Sequence, residues 1–169
     1  MSINKATLKD VNELTILINS AYRGESGLRG WTTESHLLDG QRIDQEMLIS
    51  NLNEPGATIL KYTNTTGQII GCVNLQLQPD KLYLGMLTVS PDEQAKGIGR
   101  QLLEAAEQFA KEASRQVIGM TVITTRHELI NWYLRRGFKR TSVIVPFHTD
   151  VRFGVPKVPI ELEVLEKEV

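Results

Sequence analysis

The segment Val89–Leu103 reads V-S-P-D-E-Q-A-K-G-I-G-R-Q-L-L and joins a strand pattern to a helix pattern. Amphipathic spacing predicts a helix that starts near Gly97. Gly97 and Gly99 let a bulky group approach the main chain closely. The N–H groups of a first helical turn have no partners within the helix, and the helix dipole favours anions there. With Lys96 and Arg100 as cationic donors, the loop is predicted to cradle a phosphate or pyrophosphate.

Three phosphate-binding patterns can be compared with this loop. The dinucleotide fingerprint requires a third glycine where this chain has Leu102. The Walker pattern requires a Gly-Lys-Ser/Thr sequence that the loop lacks. The string Gln94-Ala95-Lys96-Gly97-Ile98-Gly99, preceded by Val89-Ser90-Pro91, resembles the Q-x-x-G-x-G/A acetyl-CoA signature of the GCN5-related N-acetyltransferases (GNAT).

A second block of sequence carries the same resemblance. In the stretch 126–138, Tyr133 lies four residues before the pair Gly137-Phe138, as in the fourth-helix motif of that family. Ala21–Gly24 and Gly30–Glu34 resemble a bacterial subgroup whose substrates are mostly unassigned. The resemblance extends over residues 6–165 in the order of elements, and it is specific in the two blocks.

The remaining periodicity predicts the order β-α-α-β-β-β-α-β-α-β-β, which is an α/β (α+β) layer structure. Asp10 is expected to cap the first helix, with Glu13 completing a capping box. Successive hairpins predict an antiparallel meander, followed by a parallel crossover over Lys81–Ile123.

The resemblance implies the GNAT fold in one domain over residues 1–169: a mixed, mostly antiparallel sheet of six to seven strands with helices on both faces. Strands are predicted at Ala57–Thr63, Gln68–Gln78, Lys81–Val89, Val117–Ile123, Phe138–Phe147 and Pro159–Leu165.

Composition argues against several other classes of protein. The 169 residues carry a formal charge of −1, without the basic excess that is typical of a nucleic-acid binder. Cys72 is the only cysteine, so no intramolecular disulfide is possible. The apolar runs are shorter than the ~20 residues that span a bilayer, and Met1–Asp10 lacks a signal-peptide core. We therefore expect a cytoplasmic protein without membrane contact. The three histidines form no ligand spacing, so no metal is expected.

The resemblance also implies the reaction, which is transfer of an acetyl group from acetyl-CoA to a primary amine of a small molecule or peptide. The pantetheine arm is expected to pair with the main chain of Leu87, Thr88 and Val89. The Leu87 N–H is expected to polarise the thioester carbonyl. Tyr133, a phenol of ordinary pKa ~10, is the expected general acid. The further contacts to acetyl-CoA are expected from Gln94, Ala95, Lys96, Gly97, Ile98, Gly99, Arg100, Asn131 and Tyr133.

The general base and the acceptor site are less defined by the sequence. Many relatives in the family place a glutamate on the strand before the signature, where this chain reads Leu82–Leu87 without a carboxylate. Glu34, in the glycine-rich segment Arg23–Gly40, is the best carboxylate candidate for catalysis. Candidates for acceptor binding are Arg29, Trp31 and Phe147.

Two other functions stay open at the level of sequence. A non-catalytic acyl-CoA-binding regulatory module would keep the cradle without turnover, and a nucleotide-binding protein would use the same loop.

Cys72 lies in a strand pattern and is expected to be a buried small hydrophobe, which favours direct transfer over an acetyl-cysteine intermediate. Homodimers are common in such folds, and the sequence leaves the oligomeric state open.

Overall fold

The computed structural model describes residues 1–22, 37–147 and 155–169. Its α-helices within these ranges are α1 (Val11–Tyr22), α2 (Gln45–Asn53), α3 (Ile98–Glu112) and α4 (His127–Leu134). The strands are β1 (Ser2–Lys5), β2 (Leu38–Asp39), β3 (Ala57–Thr63), β4 (Ile69–Leu77), β5 (Leu82–Val89), β6 (Val117–Ile123), β7 (Lys139–Pro146), β8 (Val155–Pro156) and β9 (Glu161–Glu168).

Seven of these strands form one mixed sheet in the order β1-β3-β4-β5-β6-β9-β7. Neighbouring strands are antiparallel except β5 and β6, which are parallel and joined through α3. The short strands β2 and β8 pair separately. The predicted mixed sheet, its meander and its parallel crossover are therefore confirmed. Within the described ranges, no helix has both the length and the apolar character that a membrane crossing requires.

The two faces of the sheet are buried by different helices, because alternate residues of each strand point to opposite sides. On one face, Val73 and Leu75 belong to a core with Leu102 of α3. On the other face, Ile59 and Cys72 belong to a core with helices α1 and α2. We refer to these as the α3 face and the α1 face.

Strand β5 carries a bulge that opens the middle of the sheet. Cys72 pairs with Thr88 and Asn74 pairs with Gly85, so one residue of β4 opposes two residues of β5. Met86, within this bulge, has a left-handed φ of 48°. Pairing between β5 and β6 is confined to Leu82↔Ile118 and Tyr83↔Gly119. The two strands therefore separate beyond Tyr83, and the edge of β5 near the bulge faces an opening.

The predicted cap of the first helix is wrong, because a 3-10 turn over Leu8–Asp10 precedes α1. Thr7 is the capping residue of that turn, since its hydroxyl accepts from the Lys9 N–H at 3.3 Å. Asp10 closes the capping box by accepting from the Thr7 N–H at 2.8 Å. Glu13 instead accepts from the Ile69 N–H at 2.8 Å, which ties α1 to the start of β4.

The prediction for the last strand was too short at its C-terminal end. Strand β9 runs to Glu168 and pairs with β6 along the whole length of β6, from Val117↔Glu168 to Ile123↔Leu162. Its alternating charged residues gave no apolar pattern beyond Leu165 from which this extension could be predicted.

Gly71 of β4 determines how closely α3 approaches the sheet. A Cβ atom at Gly71 would lie 3.1 Å from Ile98 Cγ2, from Leu102 Cδ1 and from the Thr88 carbonyl oxygen. We expect Gly71→Ala to cost about 1–3 kcal/mol of unfolding free energy, because the packed core resists overfilling. Denaturant unfolding measures this cost. Gly85→Ala is the matched control, since its Cβ would meet only the Tyr83 ring at an ordinary 3.4 Å; equal destabilisation by both variants would contradict the explanation.

Candidate functional site

The loop between β5 and α3 contains two residues in the left-handed main-chain conformation. Ala95 has a φ of 66° and Gly97 a φ of 79°, with α3 beginning at Ile98. A left-handed conformation is strained for alanine by about 1–2 kcal/mol. Strain of this kind is concentrated at functional sites. Successive N–H groups in such a loop converge and form a concave site for anions.

The first turn of α3 adds further donors to this concave loop. The first intrahelical bond runs from the Gln101 N–H to the Gly97 carbonyl at 3.1 Å. The N–H groups of Ile98, Gly99 and Arg100 therefore have no partner within the helix. A Cβ atom at Gly97 would meet nothing within 4 Å, so this side of the loop is open. These donors and this open side are what a phosphate cradle would use, and the cradle stays a prediction.

Gly99 has a different role from Gly97. A Cβ atom at Gly99 would lie 3.3 Å and 3.4 Å from two ring carbons of Trp132 in α4. Gly99 thus lets the indole of Trp132 pack against the first turn of α3. This contact brings the second sequence block beside the first, although they are far apart along the chain.

A cavity of about 440 Å³ lies between these two helix ends. The residues that line it are Val89, Glu93, Gln94, Ala95, Gly97, Ile98, Gly99, Arg100, Trp132 and Arg136. A second cavity of about 310 Å³ adjoins α4 and is lined by Glu128, Asn131, Trp132 and Arg135. Trp132 lines both cavities and so links the predicted loop residues with Asn131. Of the predicted cofactor residues in the loop, Lys96 alone does not line the larger cavity.

Arg136 is a cation in the larger cavity that the sequence analysis missed. Its Cζ lies 3.9 Å from the centre of the Trp132 ring, and one terminal nitrogen donates to the Trp132 carbonyl at 3.1 Å. Its Nε is enclosed and has no hydrogen-bond partner. Burial lowers the pKa of the guanidinium, and the neighbouring Arg135 and Arg100 lower it further. An anion in this cavity would relieve both the unpaired donor and the repulsion between the arginines.

Lys96 and Arg100, the cations that were predicted from the sequence, already have carboxylate neighbours. Lys96 Nζ lies 2.7 Å from a carboxylate oxygen of Glu93, and Arg100 Nε lies 3.6 Å from Glu104. Exposed pairs of this kind contribute only about 0–1 kcal/mol to stability. Both cations can therefore exchange a carboxylate for a phosphate at little cost.

The open edge of β5 lies at one end of the larger cavity. The Ser90 N–H donates to the Ile70 carbonyl at 2.8 Å, so by alternation the main chain of Thr88 faces β4. Leu87 and Val89 therefore direct their N–H groups to the opening.

The carbonyl groups at this edge already have partners. The Val89 carbonyl accepts from Gln94 Nε2 at 3.1 Å, and the Leu87 carbonyl accepts from the Tyr22 hydroxyl. The Thr88 hydroxyl donates to the Met86 carbonyl at 2.9 Å, so no group of Thr88 reaches the edge.

Tyr133 of α4 belongs to the same buried cluster as Leu87 and Val89 of β5. Its side chain is 6% exposed and makes edge-to-face contacts with Trp132 and Phe138, with ring centres 5.1 Å and 5.6 Å apart. Burial raises the pKa of the Tyr133 phenol, as do Tyr22 and Tyr83, while Arg126 acts in the opposite direction. The hydroxyl is therefore protonated at neutral pH, as a general acid must be. Sequence reasoning missed Tyr22, Tyr83 and Arg126 because only the fold brings them near Tyr133.

Several other candidates can be located or set aside. Phe147 packs against a small apolar cluster that includes Leu37 and Ile123. Arg29, Trp31 and Glu34 lie outside the described residues.

Cys72 is 1% exposed, and burial raises the pKa of its thiol to about 12, so it is not a thiolate at neutral pH. The described part of the chain contains no group of three or more His, Cys, Asp or Glu residues placed to hold a metal ion.

Comparison with known proteins places the chain in a family. The model of the acetyltransferase (GNAT) family matches residues 13–138. An uncharacterized N-acetyltransferase in the pepI 3' region of Lactobacillus delbrueckii subsp. lactis is 25% identical over 108 residues, which are 59% of this chain. The matched part spans 62% of the length of that relative.

Solved structures show the same fold at low sequence identity. The ribosomal-protein-S18-alanine N-acetyltransferase of Escherichia coli has a TM-score of 0.73 at 15% identity, covering 99% of this chain and 93% of that one. The ribosomal-protein-alanine N-acetyltransferase of Brucella melitensis has a TM-score of 0.71 at 21% identity, covering 100% of both. A GNAT acetyltransferase from Elizabethkingia anophelis with acetyl-CoA bound has a TM-score of 0.60 at 18% identity, covering 73% of this chain and 82% of that one.

The solved structures share the fold of this chain, and the family model gives the class of protein. The chain belongs to the GNAT acetyltransferase family, as the two sequence blocks predicted.

The open side of Gly97 generates a direct test of the cradle. Gly97→Glu places bulk and negative charge on the anion-binding side of the loop, so we expect the Kd for acetyl-CoA to rise by at least about tenfold. Gly67→Glu is the matched control, because Gly67 has a φ of 85° and an equally open Cβ position in a remote turn. Isothermal titration of both variants measures the difference. Equal affinity of Gly97→Glu and the wild type would exclude the loop as the cradle.

The unpaired Nε of Arg136 generates a second test. Arg136→Met keeps an apolar chain on Trp132 but removes the cation, so we expect acetyl-CoA to bind about tenfold more weakly and with a shallower salt dependence. The unliganded protein should keep its melting temperature, because the variant removes an unsatisfied buried donor. Lys111→Met, at the far end of α3, makes the same charge change and should leave affinity unchanged. A large loss of stability in Arg136→Met without a loss of affinity would assign Arg136 to the core.

Proposed function

We propose that the protein is an N-acetyltransferase that moves an acetyl group directly from acetyl-CoA to a primary amine of a small molecule or peptide. The observation that carries this proposal is the meeting of two features at one opening. One is the edge of β5 with the outward N–H groups of Leu87 and Val89, and the other is the buried, protonated hydroxyl of Tyr133, which interacts with Tyr22, the residue that donates to the Leu87 carbonyl. Hydrogen-bond donors and a proton donor at one place suit acyl transfer from a thioester.

The residues present fit acetyl-CoA in both charge and shape. The concave loop over residues 94–100 and the unpaired Arg136 Nε would hold the pyrophosphate. The edge of β5 at Leu87 and Val89 would hold the pantetheine arm as an additional strand. Asn131 and Arg135 line the adjoining cavity and would contact the remainder of the cofactor. The acetyl-CoA bound to the Elizabethkingia anophelis relative supports this choice of donor.

The chemical roles follow from these positions. The Leu87 N–H would donate a hydrogen bond to the thioester carbonyl oxygen, where negative charge develops as the amine nitrogen attacks. The new C–N bond forms as the C–S bond breaks. Tyr133 would give its proton to the departing sulfur and recover one from solvent. The inert Cys72 thiol supports direct transfer without a cysteine intermediate.

The acceptor must lose a proton during the reaction. Strand β5 has no carboxylate, so we propose that the amine enters uncharged or passes its proton to water. Glu34 is our candidate for a base, and Arg29, Trp31 and Phe147 are our candidates for acceptor contacts. The missing strand carboxylate would also suit a non-catalytic acyl-CoA-binding module, which is the second candidate function.

Tyr133 gives the test that separates an enzyme from a binding module. In a screen of amines that follows thiol release from acetyl-CoA, Tyr133→Phe should lower kcat by about 10²-fold or more, because the departing sulfur loses its proton source. The Kd for acetyl-CoA should change by less than about threefold. Since the pKa of Tyr133 is raised above its ordinary ~10, wild-type activity should show no alkaline decline up to about pH 10.

The control for this variant is Tyr62→Phe. Tyr62 is also buried, at 2% exposure, but its hydroxyl donates to the Met1 sulfur at the far side of the sheet. It should retain full turnover. Unchanged kcat in Tyr133→Phe would remove Tyr133 from the catalytic residues, and binding of acetyl-CoA without thiol release by any amine would favour the binding module.

A further inference from the structure

A second unsatisfied polar atom lies on the opposite face of the sheet from Arg136. Among the described residues, two side-chain nitrogen or oxygen atoms are fully enclosed without a hydrogen-bond partner: Arg136 Nε and Asn74 Oδ1. The first is a donor in the proposed cofactor cavity. The second is an acceptor on strand β4. An enclosed carbonyl oxygen without a donor is costly, and it is seldom retained without a reason.

Asn74 points to the α1 face. Its neighbours along the strand, Val73 and Leu75, are buried in the core of the α3 face, and strand alternation turns Asn74 the other way. Gln76, the next residue on the same side, donates from Nε2 to the Pro55 carbonyl at 2.8 Å. The two amides are thus on the same side of β4, and of the two only that of Asn74 has an enclosed oxygen without a partner.

Asn74 lies opposite the part of β5 that leads to the proposed reacting end. Its partner on β5 is Gly85, which has no side chain, and the bulge at Met86 follows at once. A Cβ atom at Gly85 would touch only the Tyr83 ring. Leu87, the proposed carbonyl-binding residue, is two positions beyond Gly85, or about 6–7 Å along a strand.

Two neutral hydroxyl groups of the described residues lie at or beside β5 on this face. The Tyr83 hydroxyl lies 3.1 Å from Thr121 Oγ1 on β6, and Tyr22 reaches across from α1 to the Leu87 carbonyl. An unpaired amide oxygen is complementary to an uncharged N–H donor. A carboxylate at this place would instead select a charged ammonium ion.

We propose that Asn74 binds the acceptor, with Oδ1 accepting a hydrogen bond from an N–H of the attacking primary amine. This inference rests on the proposed transfer activity and names the residue that orients its second substrate. One N–H is held by Asn74, and the nitrogen lone pair is left to form the C–N bond. The amide cannot take up the proton that nitrogen then loses, so this proton passes to water. Cofactor and acceptor thus approach β5 from opposite faces of the sheet.

The test uses Asn74→Leu, with Asn74→Ala as a smaller second variant in case leucine does not fit. With a panel of simple amines, amino acids and short peptides, the KM for the amine should rise by about tenfold or more. The KM for acetyl-CoA should stay within about threefold, because Asn74 lies on the other face. The melting temperature of the unliganded Asn74→Leu protein should rise by about 2–4 °C, since an unsatisfied buried acceptor is removed.

The matched control is Gln76→Leu, which removes a satisfied amide from the same side of the same strand. It should lower the melting temperature and leave the KM for the amine unchanged. A fall in melting temperature in both Asn74 variants would make Asn74 a structural residue and overturn the inference, as would an unchanged KM for the amine. If the wild type binds acetyl-CoA but releases no thiol with any amine, the transfer activity itself fails, and the assignment to an amine fails with it.

Discussion

The separation of β5 from β6 is the constraint on which the rest of the site depends. The two strands are paired only at Leu82↔Ile118 and Tyr83↔Gly119, and the bulge at Met86 then turns β5 away. A buried main-chain donor without a partner is costly, so an open edge in the middle of a sheet requires either water or a ligand to satisfy it. The strained loop lies at one end of this edge, and Tyr133 belongs to the same buried cluster as Leu87 and Val89. The bulge and the separation are thus the features of the fold on which the proposed binding site depends.

The polar groups described on the two faces of the sheet differ in charge. The α3 face gathers Arg100, Arg135 and Arg136 around a cavity, and the pKa of the Arg136 guanidinium is lowered because burial and its neighbours disfavour the charge. The α1 face presents the neutral amide of Asn74 and the hydroxyl of Tyr83. The overall charge of −1 conceals this division, because acidic residues elsewhere balance the arginines. An anionic cofactor and an uncharged amine are the ligands that suit the two sides.

The sequence predicted the parts of the fold and site that depend on local patterns. Strands Ala57–Thr63 and Val117–Ile123 have their predicted bounds because apolar residues and turn residues delimit them. The loop at Gly97 was predicted from glycines that let a bulky group approach the main chain, and Gly97 has a left-handed φ of 79°. The bulge could not be predicted in this way, since methionine gives no signal for a positive φ at position 86.

Two further residues could not be predicted from local patterns. In the sequence, Arg136 resembles a solvated charge in a basic run, and Tyr22 resembles the end of an amphipathic helix. Their roles arise from contacts between distant segments, namely the stacking of Arg136 on Trp132 and the bond from Tyr22 to the Leu87 carbonyl.

Amide hydrogen exchange followed residue by residue, with and without acetyl-CoA, tests the central claim most directly. If acetyl-CoA binds as proposed, its hydrogen-bond donors are the outward N–H groups of Leu87 and Val89 and the unpaired N–H groups of residues 98–100. These amides should exchange at least about tenfold more slowly in the complex, as new hydrogen bonds form, whereas the Thr88 amide, which already faces β4, should change least. Slowed exchange confined to other strands, or binding of acetyl-CoA without protection at Leu87 and Val89, would contradict the account.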